Sequence, residues 1–290
     1  MTDVSPNLAR APELRRRGGR VTEYDSAIRR PTVWGELLDL ARFRDLLRVL
    51  ISKTIKTRYK RSALGILWTL LNPLITMLVL TVAFSAMMQS AVPGYPVYLL
   101  IGLVVWNLFS QSTAYAMGTY IGAGALLRRA RIPPTVFAVA CVGNCLINFF
   151  FSLVPLCIMM LLLGHPFHAS WWFVPFAVLL VAAFSLGVAL LVSTLGIFFS
   201  DVVDMYQIIL QAWFFLTPII YPPELLPARY AWLLWVNPMY RMIELVRTPI
   251  FHGRLPDLAT LVICVAWAFV ALAGGAWYFV RKSDEFAYSL

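Results

Sequence analysis

Long stretches of this chain carry no charged residue. Residues 64–127 contain no Asp, Glu, Lys or Arg, and neither do residues 132–200. A water-soluble domain needs charged surface, whereas a bilayer core excludes unpaired charge because its burial is costly. A span needs about 20 apolar residues to cross the hydrocarbon core. The sequence therefore predicts an all-α integral membrane protein with six transmembrane helices, at about 64–88, 96–117, 136–163, 172–199, 205–221 and 258–280.

Two regions precede these spans. Residues 1–33 are polar and rich in Arg, which predicts a disordered basic cytosolic tail. Over residues 34–61, apolar residues recur at three- and four-residue steps with basic residues between or beyond them. This pattern predicts an amphipathic interface helix on the cytosolic membrane surface, although a helix packed on a soluble partner would show it too. The six-span domain then covers residues 62–290.

The segment 222–256 is too apolar for a solvated loop and too interrupted for a span. Asn237-Pro238 is typical of a helix start, with Asn as N-cap and Pro at the first helical position. We expect two short helices, at about 224–236 and 239–248, the second stopped by Pro249. Because both helices are too short to cross the membrane, we predict that they form an outer re-entrant helical hairpin between spans five and six.

The net charge of +10 is distributed unevenly along the chain. Most basic residues lie before residue 62, and the others cluster mainly at 128–131 and 281–282. Basic clusters on alternate sides of apolar spans follow the positive-inside rule, which places both termini in the cytosol. The charge therefore indicates orientation and contact with anionic membrane lipid, and we expect no nucleic-acid binding.

The sequence lacks the residue patterns of several kinds of nucleotide, metal and proton-relay site. There is no G-x-x-x-x-G-K-[ST] phosphate loop, no H-E-x-x-H and no Cys/His zinc pattern. No pair of carboxylates lies in an apolar segment, where a proton relay would need it. We therefore expect neither a catalytic residue nor a metal or other cofactor in this chain, and no enzyme activity of its own.

Uncharged polar residues do enter the spans, and they share helix faces. Two interpretations fit them: they are interhelical hydrogen-bonding groups, or they line a conduit that hydrogen-bonds hydroxyl groups. The candidates are Asn107, Gln111, Asn144, Asn148, Gln207 and Gln211.

Three blocks of the sequence resemble one known family. The first is Arg58-Tyr59-Lys60-Arg61-Ser62 with Leu64-Gly65, Leu67-Trp68 and Pro73-Leu74, and the second is the basic loop 127–134, which ends in Ile-Pro. The third is Thr217-Pro218-Ile219-Ile220-Tyr221-Pro222-Pro223-Glu224-Leu225-Leu226-Pro227, then Asn237-Pro238 and Glu244 with Arg247. Together they resemble the transmembrane (permease) subunit of ABC-type polysaccharide exporters, which include O-antigen, capsule and teichoic-acid permeases.

The resemblance implies a homodimer that works with two copies of a separate cytosolic ABC ATPase subunit, which holds the ATP and Mg. It implies export of a polyprenyl-linked glycan, of O-antigen, galactan, capsule or teichoic-acid type, across the bacterial cytoplasmic (inner) membrane. Two alternatives are a secondary transporter or channel without a partner ATPase, and a membrane-embedded enzyme that uses His165 and His168 in an outer loop.

Two groups of charged or aromatic residues are candidates for roles in such an exporter. One is an ATPase-coupling surface on segments 36–60 and 118–134, where the alternative is charge that only sets topology. Its residues are Arg58, Lys60, Arg61, Arg128, Arg129, Arg131 and Asp201, although the family commonly has Arg where Ser200 precedes that Asp. The other is an outer gate, or else an interfacial anchor. Its residues are Trp232, Trp235, Arg241, Glu244 and Arg247.

Overall fold

The computed structural model describes residues 42–59, 67–88, 92–129 and 133–286. These residues form helices and turns, with no β-strand among them. The predicted tail 1–33 lies outside the described residues. The α-helices are α1 Arg44–Tyr59, α2 Leu67–Met88, α3 Tyr95–Arg129, α4 Thr135–Leu162, α5 Val174–Phe198, α6 Asp201–Leu216, α7 Trp232–Val236, α8 Pro238–Arg247 and α9 Leu258–Lys282.

Four segments of the described chain are long and apolar enough to cross a membrane. They are Tyr95–Gly122, Thr135–Leu162, Ala169–Phe198 and Leu258–Lys282. The helix α2 coincides with the predicted first span and has 22 residues, of which Leu71–Phe84 is a shorter apolar stretch. The helix α6 has only 16 residues, or about 24 Å at 1.5 Å per residue, which is less than the hydrocarbon core. The count of six spans stays a prediction.

The helix α3 lies at the centre of the packing. It contacts α2, α4, α5, α6 and α8. In its most apolar 18-residue stretch, 78% of the residues are buried, compared with 22% in the corresponding stretch of α9. With 35 residues it is about 52 Å long. The helix α1 packs on α4, where the Ile51 side chain approaches Gly143. Whether α1 also lies on the membrane surface stays a prediction.

The helices α5 and α9 form the most extensive contact, and two glycines make it possible. At Gly187 and Gly275 the two backbones touch. A Cβ added at Gly187 would collide with the backbone of Ala271 and Leu272, and one added at Gly275 would collide with the Gly187 backbone. Small residues at a crossing let membrane helices approach closely. Because lipid is as apolar as the helix surface, the helices associate through this van der Waals contact and not through the hydrophobic effect.

The segment between α6 and α9 differs from its prediction in two places. The predicted helix 224–236 is wrong: 3-10 turns at Pro223–Leu225 and Ala228–Tyr230 precede the five-residue α7. Pro227, between the turns, has no N–H for a continuous helix. The predicted stop at Pro249 is also wrong, because α8 continues as a π-helical turn, Thr248–His252. That turn ends at Gly253, whose φ of +68° favours glycine.

The start of α8 confirms the predicted cap. The Asn237 side chain accepts hydrogen bonds from the backbone N–H groups of Met239 and Tyr240, at 3.0 and 3.4 Å. The same side chain accepts from Trp213 Nε1 and donates to Thr217 Oγ1, both at 2.9 Å. Asn237 therefore also fastens the start of α8 to the end of α6. The re-entrant position of this segment in a bilayer stays a prediction.

Candidate functional site

An open groove lies between α3 and α6. Its volume is about 720 Å³. Gln111 from α3 and Gln207 and Gln211 from α6 line it, so the fold brings together three of the predicted conduit residues. Aromatic rings form much of the remaining wall, among them Trp106 and Phe214, whose centroids are 5.6 Å apart.

A second, smaller cavity lies between α2, α3 and α4. It has a volume of about 100 Å³, and we call it the chamber. Asn107 and Gln111 line it from α3, Asn148 and Ser152 from α4, and Asn72 from α2. The predicted conduit residues are therefore divided between the groove and the chamber, and Gln111 borders both. Asn144 lines neither, and its buried Oδ1 has no hydrogen-bond partner among the described residues.

The chemistry of both cavities is neutral and polar. Carboxamides present two donors and an acceptor without charge, so they suit hydroxyl groups and water better than ions. No group of three or more His, Cys, Asp or Glu that could hold a metal ion occurs in the part of the chain that the structure describes. His165 lies against the Phe251 ring, with centroids 4.9 Å apart, and its Nδ1 is 3.4 Å from the Pro166 carbonyl oxygen.

An ion pair within α8 contacts α3 through its arginine. Arg247 is fully buried, and its Nη1 lies 2.7 Å from Oε1 of Glu244, whose side chain is 20% exposed. The same nitrogen donates to the Tyr98 hydroxyl at 2.8 Å and to the Pro218 carbonyl at 3.2 Å. The guanidinium carbon also lies 3.7 Å from the centre of the Tyr98 ring. The burial of one whole guanidinium makes these contacts a fixed junction rather than a solvated surface pair.

The other predicted gate residues lie apart from this junction. Arg241 contacts the Trp235 ring, 5.1 Å from its centroid, and donates to Thr260 Oγ1 at 3.4 Å, so its closest contacts are not with Glu244. Trp232 and Trp235 are 57% and 69% exposed. Exposed indole rings beside a cation suit a membrane interface or a sugar face equally.

The predicted ATPase-coupling residues mostly fall where little is described. Lys60, Arg61 and Arg131 lie outside the described residues. Arg58 lies in the last turn of α1, and Arg128 and Arg129 are the last two residues of α3. For these three residues the structure describes the helical backbone alone. Asp201 is exposed in the first turn of α6, where its carboxylate accepts from Ser200 Oγ at 3.4 Å.

Sequence reasoning missed the residues of α3 that receive Arg247. Gly102 lies against the guanidinium, and a Cβ added there would be 2.6 Å from Nη2 of Arg247. Tyr98 supplies the hydroxyl acceptor. The signal in the sequence was a glycine within a run of large apolar residues, which often marks a close approach of another group.

Comparison with known proteins identifies the family. A family model described as "ABC-2 type transporter" matches residues 45–251. An O-antigen export system permease protein, RfbA, of Myxococcus xanthus is 32% identical, over 87% of this chain and 98% of the relative. A protein with that name from Klebsiella pneumoniae is 29% identical, over 73% and 82% of the two chains. The polysialic acid transport protein KpsM of Escherichia coli is 26% identical, over 80% and 92%. The chain therefore belongs to the membrane-protein family of ABC-2 type transporters.

Proposed function

We propose that this chain is the permease subunit of an ATP-driven exporter that moves a polyprenyl-linked polysaccharide outward across the bacterial inner membrane. The observation that carries the proposal is the groove between α3 and α6. Its described lining consists of carboxamides, aromatic rings and small or aliphatic side chains, without a charged residue. Hydroxyl groups of a sugar can exchange hydrogen bonds with the carboxamides, and the apolar faces of sugar rings can pack on the aromatic rings. One relative is named for O-antigen export and another for polysialic acid transport, and both names support a glycan cargo.

A second copy of the chain would complete the groove. Gln207 and Gln211 are exposed on α6, between large apolar residues that are also exposed. Carboxamides facing lipid would have no hydrogen-bond partner, which is costly in hydrocarbon. A homodimer that joins the two α6 faces would enclose these groups in a shared polar path. Six spans per subunit, with both termini in the cytosol, suit this arrangement.

ATP hydrolysis belongs to a separate subunit in this proposal, because the sequence has no phosphate-binding loop. Two copies of a cytosolic ABC ATPase with ATP and Mg would bind the segments around Arg58 to Arg61 and Arg128 to Arg131. The purified chain should show no ATP hydrolysis by itself. Reversing Arg128 and Arg129 to Glu should uncouple hydrolysis from export while the chain is still inserted at its normal level. Normal export by that variant would reject the docking role.

The proposed cargo is tested by reconstituting the chain with its ATPase in vesicles and following transfer of a polyprenyl-linked oligosaccharide across the bilayer. Gln207→Leu and Gln211→Leu should each reduce ATP-dependent transfer several-fold with assembly intact. Gln207→Asn is the matched control, because it keeps a carboxamide at the same position and should leave transfer near normal. Transfer without the ATPase, or equal transfer by all three variants, would reject the proposal.

A further inference from the structure

Four carboxamides line the chamber: Asn107, Gln111 and Asn148 are half-buried, and Asn72 is exposed. Asn72, Asn107, Gln111 and Asn148 all border it, and none has a side-chain hydrogen bond to any residue that the structure describes. Each carboxamide carries two donors and an acceptor that need partners. An amide placed in apolar surroundings without a hydrogen bond costs about 1–3 kcal/mol in protein mutation data. The chamber walls therefore present both donors and acceptors, and a ligand that also donates and accepts suits them best.

The size and charge of the chamber select that ligand. A volume of about 100 Å³ accommodates about three water molecules at roughly 30 Å³ each. Among the described residues that border the chamber there is no Asp, Glu, Lys or Arg, so its described walls do not favour an ion. We propose that the chamber is a water-binding compartment within the subunit, separate from the groove.

Pro73 on the chamber wall frees one backbone carbonyl, about one turn before it in α2. Pro73 borders the chamber and lies inside α2, which continues on both sides of it. Proline has no N–H, so the carbonyl group of residue 69 loses its helical hydrogen bond. In membrane helices, ordered water is one of the groups that satisfy a carbonyl freed in this way. Water in the chamber thus supports a proline-containing helix next to three amide side chains.

The chamber shares a wall with the groove. Gln111 and Tyr115 border both cavities. This part of the inference depends on the proposed function: water held behind Gln111 supplies hydration to hydroxyl groups in the groove, so the compartment is a reservoir beside the transport path. The existence of the reservoir itself does not depend on the cargo.

The four cysteines of the chain provide a direct test. Cys145 borders the chamber. Cys264 is fully buried on α9, and Cys157 is half-buried on α4, and neither of them borders the chamber. In membrane vesicles, variants that keep one cysteine each are treated with methyl methanethiosulfonate, and modification is followed by mass spectrometry. The thiolate is the reactive form and requires water, so Cys145 should react about ten times faster, or more, than Cys157 and Cys264. A cysteine-free variant that carries Ser152→Cys provides a second reporter on the chamber wall.

Filling the chamber completes the test. Asn148→Leu should slow modification of Cys145 to the level of Cys264, whereas Asn148→Ser keeps a small polar wall and should preserve it. Ile147→Leu, two residues from Cys145 and not on the chamber wall, should have no effect. The inference is overturned if Cys145 and the cysteine at 152 react no faster than Cys157, or if Asn148→Leu leaves their rates unchanged. Export is not measured here, so a failure of the proposed cargo would leave this result standing.

Discussion

A single methyl group at Gly102 tests the junction between α3 and α8. In Gly102→Ala the added Cβ would lie 2.6 Å from Nη2 of Arg247 and 3.1 Å from Cγ2 of Ile219. Ordinary contact between such atoms is about 3.5 Å, so the guanidinium must move by almost 1 Å. It cannot do so freely, because Nη1 of the same group is held by the Tyr98 hydroxyl, the Pro218 carbonyl and the Glu244 carboxylate.

The expected loss of stability follows from three contributions. Alanine is favoured over glycine inside a helix by about 1 kcal/mol. Overpacking a filled site costs about 1–3 kcal/mol. The loss of one hydrogen bond to a charged group costs about 1.5–3 kcal/mol. The first contribution opposes the other two, so we expect Gly102→Ala to reduce the free energy of unfolding by about 1.5–5 kcal/mol.

Thermal unfolding of the purified chain measures this difference. Gly118→Ala is the matched control on the same helix, because a Cβ there meets nothing within 4 Å. It should be neutral or slightly stabilising. The double variant of Gly102→Ala with Arg247→Met should be no less stable than Arg247→Met alone, since the clashing group is then gone. If Gly102→Ala unfolds at the same temperature as Gly118→Ala, or if its effect adds fully to that of Arg247→Met, the junction is not packed as described.

Three further predictions concern other fixed points. Glu244→Gln keeps an acceptor for the buried guanidinium but removes its charge, so stability should fall by about 1–2 kcal/mol; normal export by this variant at normal protein level would reject the outer gate. Gly275→Ala should prevent close packing of α5 on α9 and lower the melting temperature sharply, while the adjacent Gly274→Ala, with open space around it, should change it little. Asp257 caps α9, so Asp257→Ala should cost about 1 kcal/mol and Asp257→Asn much less. The hydrogen bonds from Thr260 lower the pKa of the Asp257 carboxyl below its ordinary value. The charged cap therefore contributes its full stability above that ordinary value. The difference in stability between the native chain and the Ala variant should shrink as the pH falls through the lowered pKa.

The elements that could be predicted from the sequence are those with a local cause. Runs without charge predict apolar helices because hydrocarbon excludes charge at every position. The cap at Asn237 was predictable because it depends on the next three residues alone. The π-helical turn at Thr248–His252 was not, because it also depends on packing: the Ser170 hydroxyl donates to the Pro249 carbonyl at 2.7 Å from 79 residues away.

The candidate site was only partly predictable for a related reason. Helical spacing shows which polar residues share one face, as it did for Gln207 and Gln211. It does not show which faces meet, so the separation of the chamber from the groove needed the structure. Of the three acceptors of Arg247, Glu244 lies three residues away, whereas Tyr98 lies 149 residues away and no local pattern links it to Arg247.

The distribution of prolines around the chamber explains how its walls can differ in stiffness. The helix α2 carries Pro73 and α4 carries Pro155, both inside the helix, and each removes one backbone hydrogen bond. Residues 97–129 contain no proline, so α3 has no such break after its first turn. Sharp helix bends arise at prolines far more than elsewhere. Two walls of the chamber therefore contain a proline, and the third wall, which also carries Gln111 into the groove, contains none after its first turn. We expect a change in chamber volume to come from α2 or α4, while the helical backbone of α3 keeps the position of Gln111 relative to Tyr98 and Gly102.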